Sequence, residues 1–257
     1  MTSKQNYKTD AILLRSIDYG ESDRIVTFFS ADFGKIRGIA KGARRSRKRF
    51  VNALENFSCG QLMFSRRSRE GLALIEACDV RNHFPGIRED IEKTLTASYF
   101  IELVDAFTLE GKQSEELFRL LYAFLDFLDV GSASEGMIRI FELRLLKLLG
   151  YDPVLDRCMG CKTLLEEMDR ILFDPVEGGI QCRKCGLRGR DVYSMMPGTV
   201  KLLVLGKNME TGRLHQLVFS ETALKESRNA LNAFIQHILG KELKSLNVLN
   251  EIKRMAI

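Results

Sequence analysis

No apolar run in this 257-residue chain is longer than Leu120–Leu125, far short of the roughly 20 residues that cross a bilayer as a helix. The opening Met1-Thr2-Ser3-Lys4-Gln5-Asn6 has no apolar signal region, so a reducing cytoplasm is the expected compartment and no membrane partner is expected. Phosphate-cradling loops are missing as well. The four Gly-Lys pairs, starting at Gly34, Gly111, Gly206 and Gly240, are followed by Ile36, Gln113, Asn208 and Glu242, never by the Ser or Thr of a nucleotide-binding loop. Neither His-Glu-x-x-His nor Gly-x-Ser-x-Gly occurs, which removes the commonest zinc-protease and serine-hydrolase signatures. Histidine is scarce: His83, His215 and His237 are the whole set, and each reads as a surface or interface residue rather than a base. The acids show no spacing that selects a catalytic pair, and no repeat or low-complexity segment appears. The chain is expected to bind rather than to catalyse, and to bind no nucleotide.

What the sequence does have is positive charge in one place. Between Gly34 and Arg69 it carries eleven Lys and Arg residues against one acid, Glu55, a net +10 where the whole chain is +5. The remainder is therefore net acidic. Lys35, Arg37, Lys41, Arg44, Arg45, Arg47, Lys48 and Arg49 follow one another with no acid among them, and Arg66, Arg67 and Arg69 form a second cluster one hairpin further on. A run of like charge is often only a solvated face, but this one repels itself and has no neighbouring carboxylates in the sequence to offset it. Lys and Arg neutralise phosphates without reading sequence, so a nucleic acid backbone is the expected ligand. Base stacking would need exposed rings. Tyr19 and Phe33 fall in turns and are the candidates; Phe28, Phe29, Phe50 and Phe64 are expected mostly to fill a core.

The hydrophobic pattern divides the chain. Residues 7–17, 24–29, 35–40, 61–64 and 72–80 read as five short strands punctuated by Gly, Asp and Ser, with no proline inside them, although their alternation is imperfect. A small barrel or sandwich follows. After Pro85-Gly86 the period becomes helical, over 88–109, 114–131, 134–149, 197–207, 220–239 and 243–255. Pro197 suits a first helical position and Ser220 an N-cap. The expected fold is α+β and multidomain: a barrel over residues 1–82, a helical domain in two parts, 83–155 and 191–257, and a small module over 156–190.

Four of the six cysteines define that module. Cys158-Met159-Gly160-Cys161 and Cys182-Arg183-Lys184-Cys185 are two C-x2-C pairs with twenty residues between them, a spacing that reads as zinc. Two tight turns with two thiolates each complete a tetrahedron and leave no open position, so one structural zinc per chain is expected. Such an ion replaces the core that a module this small cannot build. Gly186 would ease a positive φ after the second pair, and Glu177-Gly178-Gly179 would turn a hairpin between the pairs. Redox-active C-x2-C motifs belong at a helix start in a βαβ setting, which is absent here. Arg183, Lys184, Arg188 and Arg190 flank the site, either offsetting thiolate charge or touching phosphate. Cys59 and Cys78 read as small core residues.

Taken in order, several strings resemble the RecO family of bacterial DNA repair proteins: Tyr19-Gly20-Glu21-Ser22-Asp23-Arg24, Gly34-Lys35-Ile36-Arg37, Ala40-Lys41-Gly42-Ala43-Arg44-Arg45, Ala53-Leu54-Glu55-Asn56-Phe57, Arg139-Ile140-Phe141-Glu142-Leu143 and Leu148-Leu149-Gly150-Tyr151. The resemblance runs over nearly the whole chain. It implies an OB-fold first domain followed by a helical domain carrying the zinc module. It also implies a recombination mediator that binds single- and double-stranded DNA, anneals complementary strands, and acts with RecR and the single-strand-binding protein SSB to load RecA. The acidic, Phe-ending tail of SSB would dock on the helical domain, where Arg139, Leu143 and Lys147 share a helical face at i, i+4 and i+8 and are the candidates. Two other readings stand beside this one: a zinc-containing, sequence-specific DNA-binding regulator, and a zinc-dependent enzyme acting on nucleic acid.

Overall fold

The computed structural model describes residues 5–46, 48–50, 52–66, 71–186 and 191–255. By packing, the chain forms two compact units, Met1–Gly131 and Ser132–Ile257. The composition boundary near residue 82 thus lies inside the first unit. Among the described residues no helix is long and apolar enough to cross a membrane.

The first unit begins with β1 (Gln5–Tyr19), β2 (Asp23–Ser30), β3 (Gly34–Ala40), β4 (Cys59–Arg66) and β5 (Ala73–Asn82), closed into a barrel in the order β1-β2-β3-β5-β4. A closed five-stranded barrel accords with the OB-fold that the resemblance implied. Strand β1 closes it by pairing twice, with β4 over its first half (Gln5↔Arg66 to Ile12↔Cys59) and with β2 over its second (Ala11↔Ser30 to Tyr19↔Asp23), bending at a bulge between Leu13 and Arg15. Among the described residues the only parallel strand pair in the barrel joins Gly38 to Ala73 and Ile39 to Leu74. A Cβ on Gly38 would lie 2.5 Å from Ile75 Cδ1 and 2.8 Å from the Ala73 carbonyl oxygen, so β5 can approach only because Gly38 has no side chain.

The barrel is filled by Ala11, Leu13, Val26, Phe28, Ile36, Leu62, Phe64 and Ile75. Ile12, Leu14 and Phe29 face the other way yet are buried too. Helices α1 (Pro85–Arg88), α2 (Ile91–Phe107) and α3 (Glu115–Val130) belong to the same unit, and α2 packs on β1 and α3 on β2. Burial on both faces is why the strand alternation is imperfect in the sequence. The Asp90 carboxylate accepts the Glu92 and Lys93 amides and Ser114 Oγ accepts the Leu117 amide, which starts α2 and α3.

In the second unit α4 (Glu135–Leu148) is buried on nearly every side, against α5 (Pro197–Asn208) and α6 (Glu221–Leu239). Strands β6 (Ile171–Asp174), β7 (Gly179–Cys182) and β8 (Tyr193–Met195) form a small antiparallel sheet with β6 in the centre. Helix α6 covers β8 and β6, and the rings of Phe173 and Phe234 meet edge to face at 5.8 Å. Ser220 caps α6 and Gly240, at φ 64°, ends it. Helix α7 (Lys244–Met255) closes the described chain.

Candidate nucleic-acid interface and metal centre

The basic segment after β3 is a shaped loop. Ala43, Phe50, Ala53 and Leu54 join the barrel core, while Lys41, just before the first of these anchors, and Arg44, Arg45, Lys48 and Arg49, between them, are exposed. Sequence spacing, apolar in and cationic out, thus sets where the charge goes. The 3₁₀ turn Ala43–Arg45 is fastened to the β1–β2 hairpin: the Arg44 amide donates to the Ser22 carbonyl at 3.0 Å, and the Gly42 amide donates to Asp23 Oδ1 at 2.8 Å. Gly42 needs its φ of 64° to make that turn.

The Gly42 amide, and after it the Ser22 hydroxyl, hold the Asp23 carboxyl below its ordinary 3.8. A depressed acid contributes stability above its unfolded-state pKa and loses it as pH falls through the lower folded-state value. The Gly42 amide resonance is therefore expected to keep its shift down to the ordinary carboxylate range and to move only at more acidic pH. Movement near pH 5 would contradict the latch.

The ion pairs on these cations are long and exposed. Arg44 lies 3.8 Å from Asp18, and Arg45 lies 3.7 Å from Glu21. Such pairs are worth under about 1 kcal/mol and do not hold a cation against a polyanion. The single acid inside the basic stretch is used elsewhere, because Glu55 pairs with Arg88 of α1 at 2.7 Å. Arg49 sits 5.1 Å from the Phe50 ring centre and donates to the Lys41 carbonyl, which braces the loop.

The other predicted cations differ in their surroundings. Lys35 is largely buried, with its ammonium 2.9 Å from Asp105 Oδ1 and 2.5 Å from the Asp105 carbonyl, so it ties β3 to α2. Arg37 is exposed and 3.5 Å from Glu110. Arg66 lies 5.9 Å from the Phe64 ring centre, and among the described residues its Nε and Nη2 find no hydrogen-bond acceptor. Arg47, Arg67, Arg69, Arg188 and Arg190 lie outside the described residues. Of the two rings expected in exposed turns, Tyr19 is exposed. Phe33 is not free: it packs edge to face on Tyr7 at 5.2 Å and on Phe64 at 5.4 Å, against the barrel core. One cation on the same barrel exterior, Arg15, escaped the sequence reading because it stands alone; the signal was its place, two residues before Ile17, on the outer face of β1.

In the second unit the sulfurs of Cys158, Cys161, Cys182 and Cys185 all lie within 4.8 Å of one another. Cys161 and Cys182 are 3.6 Å apart, close to the edge of about 3.8 Å that a tetrahedron with metal–sulfur bonds of about 2.3 Å requires. The backbone shapes the cradle. A Cβ on Gly160 would touch Cys185 Sγ at 2.8 Å, and the Cys182 amide donates to Cys158 Sγ at 3.3 Å. Protons cannot settle evenly here. The Thr163 hydroxyl and amide bring Cys161 down to about 6, whereas the sulfurs of Cys182 and Cys161 push Cys185 up to about 12. A cation shared by four thiolates removes that conflict, so the donor set fits a thiophilic metal ion. The positive φ falls on Lys162, at 66°, and not on Gly186, which is glycine because a Cβ there would lie 2.6 Å from Leu172 Cδ1. The hairpin expected at residues 177–179 is present, with Gly178 at φ 69° and Asp174 paired to Gly179. Cys59 and Cys78 are buried in the barrel unit, and burial pushes each thiol up to about 12.

The three residues proposed from the sequence for a peptide tail do not share an exposed face. Arg139 and Leu143 are fully buried, and only Lys147 is exposed. Arg139 Nη1 lies 3.1 Å from Glu142 Oε2 and donates to Asn232 Oδ1 at 3.0 Å, which links α4 to α6.

Fold and composition define the class: an OB-fold domain followed by a helical domain that carries a four-cysteine cluster. The family described as "Recombination protein O N terminal" matches residues 1–84, and "Recombination protein O C terminal" matches residues 88–247. The DNA repair protein RecO of Syntrophus aciditrophicus is 48% identical over 259 residues, covering all of both chains. Those of Geobacter metallireducens and Desulfatibacillum aliphaticivorans are each 38% identical, covering 97% and 96% of this chain and 99% and 97% of their own. The chain belongs to the RecO family of DNA repair proteins.

Proposed function

We propose that this protein is a recombination mediator that binds single- and double-stranded DNA, anneals complementary strands, and with RecR and SSB promotes RecA loading, without catalysing a covalent reaction. The observation that carries this reading is the loop after β3: its apolar residues plug the barrel, so Lys41, Arg44, Arg45, Lys48 and Arg49 face solvent with only weak competing carboxylates. We assign the DNA-binding role to the OB-fold domain, residues 1–82. Two strands repel each other through their phosphates; a surface that neutralises both lowers the barrier to pairing and needs no nucleotide. The test is annealing of complementary SSB-coated strands. Annealing without nucleotide is the expected result, and a strict requirement for ATP would overturn it.

One structural zinc ion on Cys158, Cys161, Cys182 and Cys185 belongs to the same reading, as scaffold for the module at 156–190. Bound there, it supplies cross-linking of two turns and no reactive position. X-ray absorption is expected to show four sulfur ligands at one ion per chain. Chelation is expected to raise amide exchange across β6 and β7 while single-stranded DNA binding persists. An oxygen or nitrogen ligand, or loss of DNA binding on chelation, would contradict the scaffold role.

The remaining partners are the acidic tail of SSB, on the helical domain, and RecR, with RecA downstream. Of the residues suggested for the tail, Lys147 alone offers a solvent-facing cation, and Arg139 and Leu143 support the helix that carries it. The working compartment under this reading is the cytoplasm, where bacterial DNA lies.

A further inference from the structure

The outer face of the barrel carries a groove of about 340 Å³ between β1–β3 and the segment that follows α2. Register builds it. Arg15 pairs with Thr27 and Thr27 with Arg37, so two guanidiniums stand on one row across three strands with a small residue between them. The next outward row is apolar: Ile17 pairs with Ile25, and Ile17 is 45% exposed. Leu109, 73% exposed, lines the opposite wall. The wall is fixed in place by the Lys35–Asp105 ion pair and by the Gly111 amide, which donates to the Lys35 carbonyl at 3.1 Å. That backbone contact sets Glu110 beside Lys35 in a parallel bridge and brings its carboxylate to 3.5 Å from Arg37 Nε. Among the described residues Arg15 has no carboxylate partner, and the Arg37–Glu110 pair is half-exposed at both ends.

We propose that this groove takes one strand of single-stranded DNA, with phosphates on Arg15 and Arg37, and that Glu110 is a resident carboxylate that a phosphate must displace. The inference rests on the DNA-binding function proposed above and assigns it a track and a gate. An anion is called for by the two guanidiniums. An apolar body attached to the anion is called for by Ile17, Ile25 and Leu109, which present surface to an unstacked base and none to the stacked interior of a duplex. Glu110 competes for the same guanidinium, so it lowers affinity until the strand supplies a denser negative charge. Its cost is that of one exposed ion pair, small enough for a polyanion to exchange.

The distinguishing experiment measures fluorescence anisotropy of a labelled oligo-dT strand at fixed salt. Glu110→Gln is expected to bind about three- to fivefold tighter than the unaltered protein, the equivalent of one exposed pair. Glu115→Gln serves as control, because Glu115 pairs with Arg119 on α3 at 2.5 Å, is likewise exposed, and its loss changes net charge identically. It is expected to leave affinity unchanged. Arg15→Glu is expected to weaken binding about tenfold and to reduce the log–log salt slope by about 0.7. A gain in affinity cannot come from misfolding, so Glu110→Gln reads the gate cleanly. Equal gains from Glu110→Gln and Glu115→Gln, or no gain from Glu110→Gln, or no loss from Arg15→Glu, would each overturn the proposal while the function stands. Failure of the unaltered protein to bind the strand would overturn the function itself.

Discussion

Replacing Arg44, Arg45 and Lys48 together by Glu is expected to weaken single-stranded DNA binding about a hundredfold or more at moderate salt and to leave the fold intact. The loss is large because each change removes one attraction and installs one repulsion at a phosphate. The fold survives because these side chains are exposed and their ion pairs, 3.8 Å and 3.7 Å long, contribute little. The residues that hold the loop, Ala43, Phe50, Ala53 and Leu54, are untouched. Phe50→Ala is the contrasting variant: it empties part of the barrel core and is expected to cost about 3–5 kcal/mol of stability. Thermal melting with anisotropy on the same samples separates the two effects. A triple variant that melts normally and still binds DNA at full strength would remove the loop from the interface.

Arg139→Ala is expected to destabilise the second unit by about 3–5 kcal/mol, a large share of the 5–15 kcal/mol typical of a domain. The guanidinium is fully buried between α4 and α6, and its loss removes the countercharge 3.1 Å from the buried Glu142 carboxylate. Replacing both partners by apolar residues, Arg139→Met with Glu142→Leu, is expected to recover most of the loss, since neither charge then remains to be desolvated. Urea unfolding of the three proteins measures this. Should Arg139→Ala keep its stability but fail to bind an SSB tail peptide, the residue is a recognition group and the packing account is wrong.

Much of this was legible in the sequence. Five strands before the helices, the two C-x2-C pairs and the hairpin between them followed from local pattern, because period, turn residues and ligand spacing are local properties. Closure of the barrel was less so. The parallel β3–β5 contact joins residues far apart in the chain, and its one trace, Gly38, looked like any other glycine. Side-chain burial misled where charge was read without a third dimension. Lys35 belongs to a run of exposed cations, yet an acid seventy residues away claims it. Arg139 sits at helical spacing from Lys147, but α4 is buried nearly all round, so spacing alone did not say which face was wet. Phe33 lies in a turn and still packs against the barrel core, because the rings of Tyr7 and Phe64 meet it there.

The central claim is electrostatic: the loop after β3 holds phosphates by charge and by little else. The dependence of single-stranded DNA affinity on salt tests it most directly. Four to six phosphate contacts predict a log–log slope of about −3 to −4, at about −0.7 per contact, reduced by about 2 when Arg44, Arg45 and Lys48 are reversed. A slope near zero, or one unchanged by those reversals, would contradict it.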